Sequence, residues 1–197
     1  MDQSGDILDI LRESGSLKQG HFLLSSGRHS AQYIEKFDLL RQPVATSMVC
    51  ALIADRYRAE RIDVVVGPTT GGVILAFEVA RQLQVQAAYA ERSDQGREFR
   101  RGTTFARNAR VLVVDDILTT GGSVRETLDA LSGYQVDVLG VAVLVDRSGS
   151  QVEFAVPLTA LAEVDIASWD ADDCPLCQSG TPLVKPGTTP ANLQASD

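Results

Sequence analysis

Apolar residues in this chain fall alternately into helical spacings and short unbroken runs, and that alternation predicts the architecture. Ile7, Leu8, Ile10 and Leu11 keep the spacing of a short amphipathic helix. Gly15 and Gly20 punctuate the next stretch, and residues 22–24 and 33–37 read as short strands on either side of a polar loop at 25–30. Pro43 marks a helix start, and Val44, Met48, Ala51, Leu52 and Ile53 carry that helix to about Tyr57. An α/β repeat then begins: a strand at 62–66, a loop at 67–72, a helix at 73–83 and a strand at 85–90. It resumes with a strand at 111–114, a helix at 124–131 and a strand at 138–145, and residues up to Leu161 add an edge strand. Strands that are apolar without alternation belong to a parallel sheet covered on both faces. The fold class expected is therefore α/β, with a central, mainly parallel sheet flanked by helices.

Between residues 91 and 110 the pattern lapses. This polar stretch carries Arg92, Arg97, Arg100, Arg101, Arg107 and Arg110 but few apolar residues. A loop of that length inside a compact domain is usually functional or disordered. Residues 183–197 read as a flexible tail. With no internal repeat and no linker, residues 1–197 are read as a single domain.

The candidate chemistry lies at residues 111–123, VLVVDDILTTGGS. The apolar run ends in Asp115 and Asp116, passes through Ile117 and Leu118, and reaches Thr119, Thr120, Gly121, Gly122 and Ser123 before the next helix. In open α/β sheets, ligands bind beyond the carboxyl ends of the strands. A Gly/Thr/Ser loop opening a helix offers backbone N–H groups, hydroxyls and a positive dipole end to a phosphate. Two carboxylates just upstream suit ribose hydroxyls, or Mg²⁺ through water. Either half alone is compatible with a solvated strand end or a mere turn; joined in this order they specify a ribose 5-phosphate site. No GxxxxGK[ST] and no GxGxxG occurs, so P-loop and dinucleotide readings fail.

This stretch resembles the phosphoribosyl diphosphate (PRPP) motif of type I phosphoribosyltransferases, and further blocks narrow the likeness to orotate phosphoribosyltransferases. Residues 20–36, GHFLLSSGRHSAQYIEK, resemble that family's amino-terminal segment. Residues 67–73, GPTTGGV, match its pyrophosphate-side loop, and 145–149, VDRSG, match the strand end that carries an orotate-contacting arginine. The CPLCQSGTPLVKPG ending is similar to a tail in one bacterial branch. The resemblance implies the type I phosphoribosyltransferase fold with a small hood, from about residues 1–40 plus carboxyl-terminal residues. It implies transfer of the phosphoribosyl group from PRPP to orotate, giving orotidine 5′-monophosphate and pyrophosphate in pyrimidine biosynthesis. Mg²⁺ would enter through PRPP and water, without a direct protein ligand.

The same resemblance assigns roles by position. Asp115 and Asp116 would grip the ribose hydroxyls, and the loop from Thr119 to Ser123 the 5′-phosphate. Thr119 would lie beside orotate, and Arg147 would meet its carboxylate with a bidentate fork. Thr70, Gly71 and Gly72 would serve the pyrophosphate. Ser26, Gly27, Arg28 and Ser30 would belong to the hood, with Tyr33 stacking on the base or serving as a structural aromatic, and Lys36 approaching phosphate. Residues 91–102 match a mobile lid that is often supplied to a neighbouring subunit, which implies a homodimer. Arg92 matches one PRPP-binding lid cation, while Arg97, Arg100 and Arg101 would replace, without a position-by-position match, the other lysines that members carry in the lid.

The chain departs from that pattern in having only Lys18, Lys36 and Lys185 as lysines. Ser25 and Gly71 occupy two other places where lysines are common. Arginine keeps the charge and pairs bidentately with phosphate, but it cannot give up a proton as lysine can. Each arginine taken alone also reads as part of a solvated basic loop.

Composition bounds these readings. At 197 residues and 44% hydrophobic the chain suits one domain with a sizeable core. Net charge of −8 argues against nucleic acid or an anionic membrane as principal partner. No apolar run reaches the roughly 18 residues needed to span a bilayer, and the acidic start lacks a signal-peptide pattern, so a cytoplasmic location is expected. Cys50 reads as a small buried hydrophobe. Cys174 and Cys177 form a CxxC that lacks two ligands for zinc, and His21 and His29 lie far away in sequence. A reduced structural or incidental pair is expected, the alternative being zinc completed mostly through a partner subunit. Two alternatives to the orotate activity remain at this level. One is transfer to another nucleobase, which would not require an arginine for a carboxylate. The other is a non-catalytic PRPP-binding regulator, which would call for a basic face or a DNA-binding helix pair.

Overall fold

The computed structural model describes residues 3–24 and 26–186. In chain order its elements are α1 (Gln3–Glu13), β1 (Leu17–Leu23), β2 (His29–Ile34), α2 (Lys36–Leu40), α3 (Pro43–Tyr57) and β3 (Val64–Pro68). Next come α4 (Gly71–Leu83), β4 (Gln86–Ser93), β5 (Gly96–Glu98), β6 (Ala109–Leu118), α5 (Gly122–Ser132) and β7 (Val136–Asp146). Last are β8 (Leu158–Glu163), β9 (Ser168–Trp169), a 3-10 turn at Ala171–Asp173 and α6 (Pro175–Gln178). None of the described helices is long and apolar enough to cross a membrane. The chain divides into two compact units, Met1–Ser16 with Lys36–Asp165, and Leu17–Glu35 with Ile166–Asp197. The expected hood boundary near residue 40 thus differs from the observed division, which leaves α1 and α2 in the larger unit.

The larger unit is built on a six-stranded sheet ordered β5-β4-β3-β6-β7-β8. Every neighbouring pair is parallel except the hairpin of β4 and β5. Val111, Leu112, Val113 and Val114 of β6 are wholly buried, as an unbroken apolar strand between two covered faces must be. Each such side chain contributes on the order of 1.5–3 kcal/mol by leaving water. The helix α3 opens with Pro43, whose missing N–H costs nothing there. It buries Thr46, Val49, Cys50, Ile53, Ala54 and Tyr57, one stripe at helical spacing. Burial pushes the Cys50 thiol up to about 12, the state of an inert small hydrophobe. The edge strand expected before Leu161 is β8, paired in parallel with β7.

The polar stretch after residue 90 is more ordered than its composition suggests. Its first part extends β4 and turns back as β5, with Glu91 opposite Glu98 and Arg92 opposite Arg97. Farther along, Phe99 and Phe105 stack edge-on with each other at 4.9 Å between ring centroids and with Tyr134 at 5.6 and 4.9 Å. Two aromatics among so many arginines, packed on Tyr134, anchor the segment within the larger unit.

The smaller unit holds an antiparallel sheet ordered β1-β2-β9. Its strands start earlier than expected in one case and end earlier in the other: β1 begins at Leu17, and β2 stops at Ile34, with Phe37 already helical. A bulge between Gln19 and Phe22 shifts the β1–β2 register. The start of the expected tail is tied down, since Val184 bridges Phe22, accepts from Leu23 N–H and donates to the His21 carbonyl. Residues 187–197 of that tail lie outside the described residues.

Candidate active site

The site grows from the carboxyl ends of β6 and β7. Leu118 pairs with Asp146 in the parallel register, and the Arg147 N–H donates to the Leu118 carbonyl at 2.8 Å. Thr119 and Arg147 therefore leave the sheet side by side. Thr119 and Thr120 are exposed, while Gly121 takes a φ of 76° as it caps α5. A Cβ at Gly121 would come within 2.7 Å of Val152 in that left-handed conformation, so only glycine fits. Asp115, Ile117, Leu118 and every residue from Thr119 to Val124 line one concave cleft. Backbone N–H groups at the start of α5 and the hydroxyls of Thr119, Thr120 and Ser123 make this cleft an anion cradle.

Asp115 and Asp116 are both buried at its edge. The Asp116 N–H donates to Asp115 Oδ1 at 2.9 Å, and the Ile117 N–H to Asp116 Oδ1 at 2.7 Å. Lys36 Nζ donates to Asp116 Oδ1 at 3.0 Å and lies 2.9 Å from Oδ2. Burial, then the adjacent Asp116 charge, push the Asp115 carboxyl up to about 7; the Asp116 N–H, Lys36 and Arg97 pull it down without offsetting them.

A second loop reaches the same carboxylates. Gly71 comes so near Asp116 that a Cβ would lie 1.8 Å from its Oδ2. Gly67 and Gly72 pack against each other as tightly, which holds the turn from β3 into α4 in one shape. The peptide bond between Thr69 and Thr70 is cis. Beneath the turn, Arg97 Nη1 donates to Thr69 Oγ1 at 3.0 Å and to the Ala90 carbonyl at 3.2 Å, and its Nε lies 3.3 Å from Glu126 Oε2.

Of the residues singled out from the sequence, the larger unit brings together Lys36, Gly71, Asp115, Asp116 and Arg97, with Thr119–Ser123 and Arg147 at the same sheet edge. The four arginines expected in a lid divide. Arg97 is buried as an internal support, whereas Arg92, Arg100 and Arg101 are exposed. Arg100 pairs with Glu98, and Arg101 with Glu91 at 3.0 Å. Ser26, Gly27, Arg28, Ser30 and Tyr33 belong to the smaller unit. There Arg28 donates to Ser168 Oγ, the Ser168 carbonyl and Asp170, and Ser30 donates to the Ala167 carbonyl. Tyr33 packs 5.8 Å from the Phe22 ring. Ser25 lies outside the described residues. The inward role of Arg97 went unread in the sequence, where nothing in a polar stretch of arginines marks which one the hairpin buries against Thr69 and Glu126.

Comparison with known proteins bears directly on this arrangement. A model of the phosphoribosyl transferase domain matches residues 38–170. The chain is 42% identical over 181 residues to an orotate phosphoribosyltransferase of Caldicellulosiruptor bescii, covering 92% of this chain and 95% of that one. The chain belongs to the orotate phosphoribosyltransferase family. A relative from Thermotoga maritima is 41% identical over 182 residues, 92% of this chain and 97% of its own. Among solved structures, orotate phosphoribosyltransferase from Aeropyrum pernix superimposes with a TM-score of 0.68 at 29% identity, covering 80% of this chain and 93% of that one. The fold is the type I phosphoribosyltransferase fold expected from the sequence.

Proposed function

We propose that this chain transfers the 5-phosphoribosyl group of PRPP to orotate, releasing pyrophosphate and forming orotidine 5′-monophosphate for pyrimidine synthesis. The observation that carries the reading is the pairing of Leu118 with Asp146, which leaves a phosphate cradle and an arginine at adjacent strand ends. In this reading the loop Thr119–Ser123 binds the 5′-phosphate, and Asp115 and Asp116 accept from the ribose hydroxyls. Arg147 meets the orotate carboxylate, and the turn with Thr70, Gly71 and Gly72 takes the diphosphate end. The bond from C1′ to the diphosphate oxygen breaks with its electrons on the leaving group, orotate nitrogen bonds to C1′, and the proton that nitrogen carried passes to the departing diphosphate or to water. An oxocarbenium-like transition state needs alignment and charge stabilisation more than a covalent nucleophile.

The site also fits magnesium. Its groups near the diphosphate turn are oxygen donors, and Asp116 is already paired with Lys36, which suits a hydrated ion arriving with PRPP rather than an all-protein cage. Bound in that way, the ion would neutralise charge on the departing diphosphate. The chain's part is to orient the ribose through Asp115 and Asp116 and to exclude water with the β4–β5 segment.

The working form we propose is a cytoplasmic homodimer. Val44 and Met48 on α3 and Ile74 and Phe77 on α4 expose apolar surface on one face of the larger unit. Exposed apolar patches of that kind mark association sites. Arg92, Arg100 and Arg101, facing outward, are the lid cations available to a neighbouring copy.

The test is orotate consumption by the purified chain with PRPP and Mg²⁺, against uracil, adenine and hypoxanthine. Turnover of orotate alone is expected. Turnover of another base would overturn the orotate assignment, and PRPP binding without turnover of any base would favour a regulator.

A further inference from the structure

The smaller unit gathers both histidines of the chain and two of its three cysteines into one cluster that the phosphoribosyl chemistry does not use. Leu23 pairs with His29, and His21, in the bulge before Phe22, brings its ring to 4.9 Å from that of His29. Cys174 and Cys177 come from the start of α6. His21 Nε2 lies 3.0 Å from His29 Nδ1, 3.5 Å from Cys174 Sγ and 3.8 Å from Cys177 Sγ, and Cys177 Sγ lies 3.3 Å from His29 Nδ1. All four atoms fall within 4.8 Å of one another.

The four separations of 3.0–3.8 Å lie near the edges of a tetrahedron around zinc. Bonds of about 2.0–2.1 Å to nitrogen and about 2.3 Å to sulfur give edges of roughly 3.3 Å for N···N, 3.6 Å for N···S and 3.8 Å for S···S. The upper bound of 4.8 Å on the separations exceeds the longest of these edges by about 1 Å. The tautomer is also set. His21 Nδ1 sits 2.8 Å from the Thr181 carbonyl, which can only accept, so Nδ1 carries the proton and Nε2 turns a lone pair into the cluster. Orienting a ligand histidine through a backbone carbonyl is how metal sites are commonly supported.

The unit has reason to need such a cross-link. Among its described residues the buried side chains are His21, His29, Ser30, Ile34 and Cys174, a centre with very little apolar material. Units this small seldom fold on burial alone and use metals or disulfides instead. Both cysteines are free thiols, and Cys177 is exposed, which leaves an entry path.

We propose that His21, His29, Cys174 and Cys177 bind one zinc ion in a closed Cys₂His₂ site that fastens the β1–β2 hairpin to the segment carrying α6. Four protein ligands leave no open position, so the ion is structural. It lies apart in the chain from the residues assigned to PRPP and stands independently of the activity.

The test uses the full chain, purified anaerobically without chelator or a polyhistidine tag. Elemental analysis and native mass spectrometry should find about one zinc per chain, falling below about a tenth in Cys174→Ser/Cys177→Ser. Because that variant can misfold, the wild-type chain stripped of metal is also titrated with Co²⁺. Visible ligand-field bands of tetrahedral cobalt, with thiolate charge-transfer bands, saturating at one equivalent, are expected. Metal-free protein that gives octahedral cobalt only would overturn the proposal. So would a chain isolated without metal whose mass is lower by two hydrogens, the mark of a Cys174–Cys177 disulfide.

Discussion

Lys36 Nζ lies 2.9 Å from Oδ2 of Asp116, a carboxylate whose side chain is only 4% exposed. The pair links the start of α2 to the end of β6 and neutralises one of two adjacent buried acids. Removing only the cation leaves Asp116 charged and poorly hydrated, an arrangement that costs more than the pair is worth. Lys36→Met is expected to destabilise the chain by about 1–3 kcal/mol, the lower end being favoured because Lys36 itself is partly solvated. It should also raise KM for PRPP more than KM for orotate. Chemical denaturation and steady-state kinetics measure the two effects, and a chain of unchanged stability would remove the pair from the site's support.

Gly71 tests the same carboxylate from the opposite side. A methyl group there would need the space of Asp116 Oδ2. Gly71→Ala should therefore displace Asp116 or the turn, costing about 1–3 kcal/mol of stability and tenfold or more in kcat/KM for PRPP. Gly180→Ala, where the added Cβ meets nothing within 4 Å, is a useful contrast. Its strain is confined to a positive φ of 69° and should leave kcat/KM unchanged.

Asp115 makes the free protein sensitive to pH. Its carboxyl is pushed up to about 7 by burial and by Asp116, against an ordinary value of about 3.9 in the unfolded chain. The unfolded chain thus releases its proton first. Stability from this group is full below about pH 4 and is lost as pH rises towards 7. PRPP binding runs the other way, since an ionised Asp115 is the better acceptor for ribose hydroxyls. The Tm difference between Asp115→Asn and wild type should grow in favour of the variant from pH 4 to 7. Wild-type PRPP affinity should gain with pH over a span that the variant does not share. Parallel profiles for the two proteins would refute the assignment.

The sheet was legible from the sequence because its strands are unbroken apolar runs, and residues 111–114 proved wholly buried. The turn after them was legible as the opening of α5, and its reading as a phosphate site rested on its place after Asp115 and Asp116, since threonine and glycine opening a helix also make a plain turn. The β4–β5 hairpin was not. Glu91, Arg92, Arg97 and Glu98 give no apolar alternation, and what orders them is strand pairing, the burial of Arg97 and an aromatic cluster that includes the distant Tyr134. The reading of Cys174 and Cys177 as a pair lacking two further ligands followed the chain distance to His21 and His29, which the antiparallel sheet of the smaller unit cancels. Local spacing carries no information about such a closure.

The lid arginines separate support from chemistry. Arg97→Met strips a donor from Thr69 and from the Ala90 carbonyl and should cost about 1–3 kcal/mol of stability. Arg100→Gln and Arg101→Gln lose ion pairs of exposed guanidinium groups and should leave the melting temperature nearly unchanged. If those exposed arginines close over the diphosphate, both variants lower kcat with KM for orotate unchanged. Melting curves beside kinetics distinguish the two classes, and full activity in Arg100→Gln/Arg101→Gln would exclude these residues from the lid's work.

The proposed dimer rests on the apolar face of α3 and α4. Val44 is 76%, Met48 53% and Phe77 64% exposed, although each sits on a helix whose other side is fully packed. A helix apolar on both sides has a second surface to bury, and in a chain of net charge −8 such a patch is an outlier in composition. Phe77→Asp adds a charge where a second copy would have to desolvate it, without touching the core. Analytical ultracentrifugation should show wild type as a dimer and Phe77→Asp as a monomer of unchanged far-ultraviolet circular dichroism. If the lid arginines reach the neighbouring site, mixing Phe77→Asp into assays will never restore activity to Arg100→Gln/Arg101→Gln. Wild-type chains that sediment as monomers while turning over orotate would refute both the dimer and the shared lid.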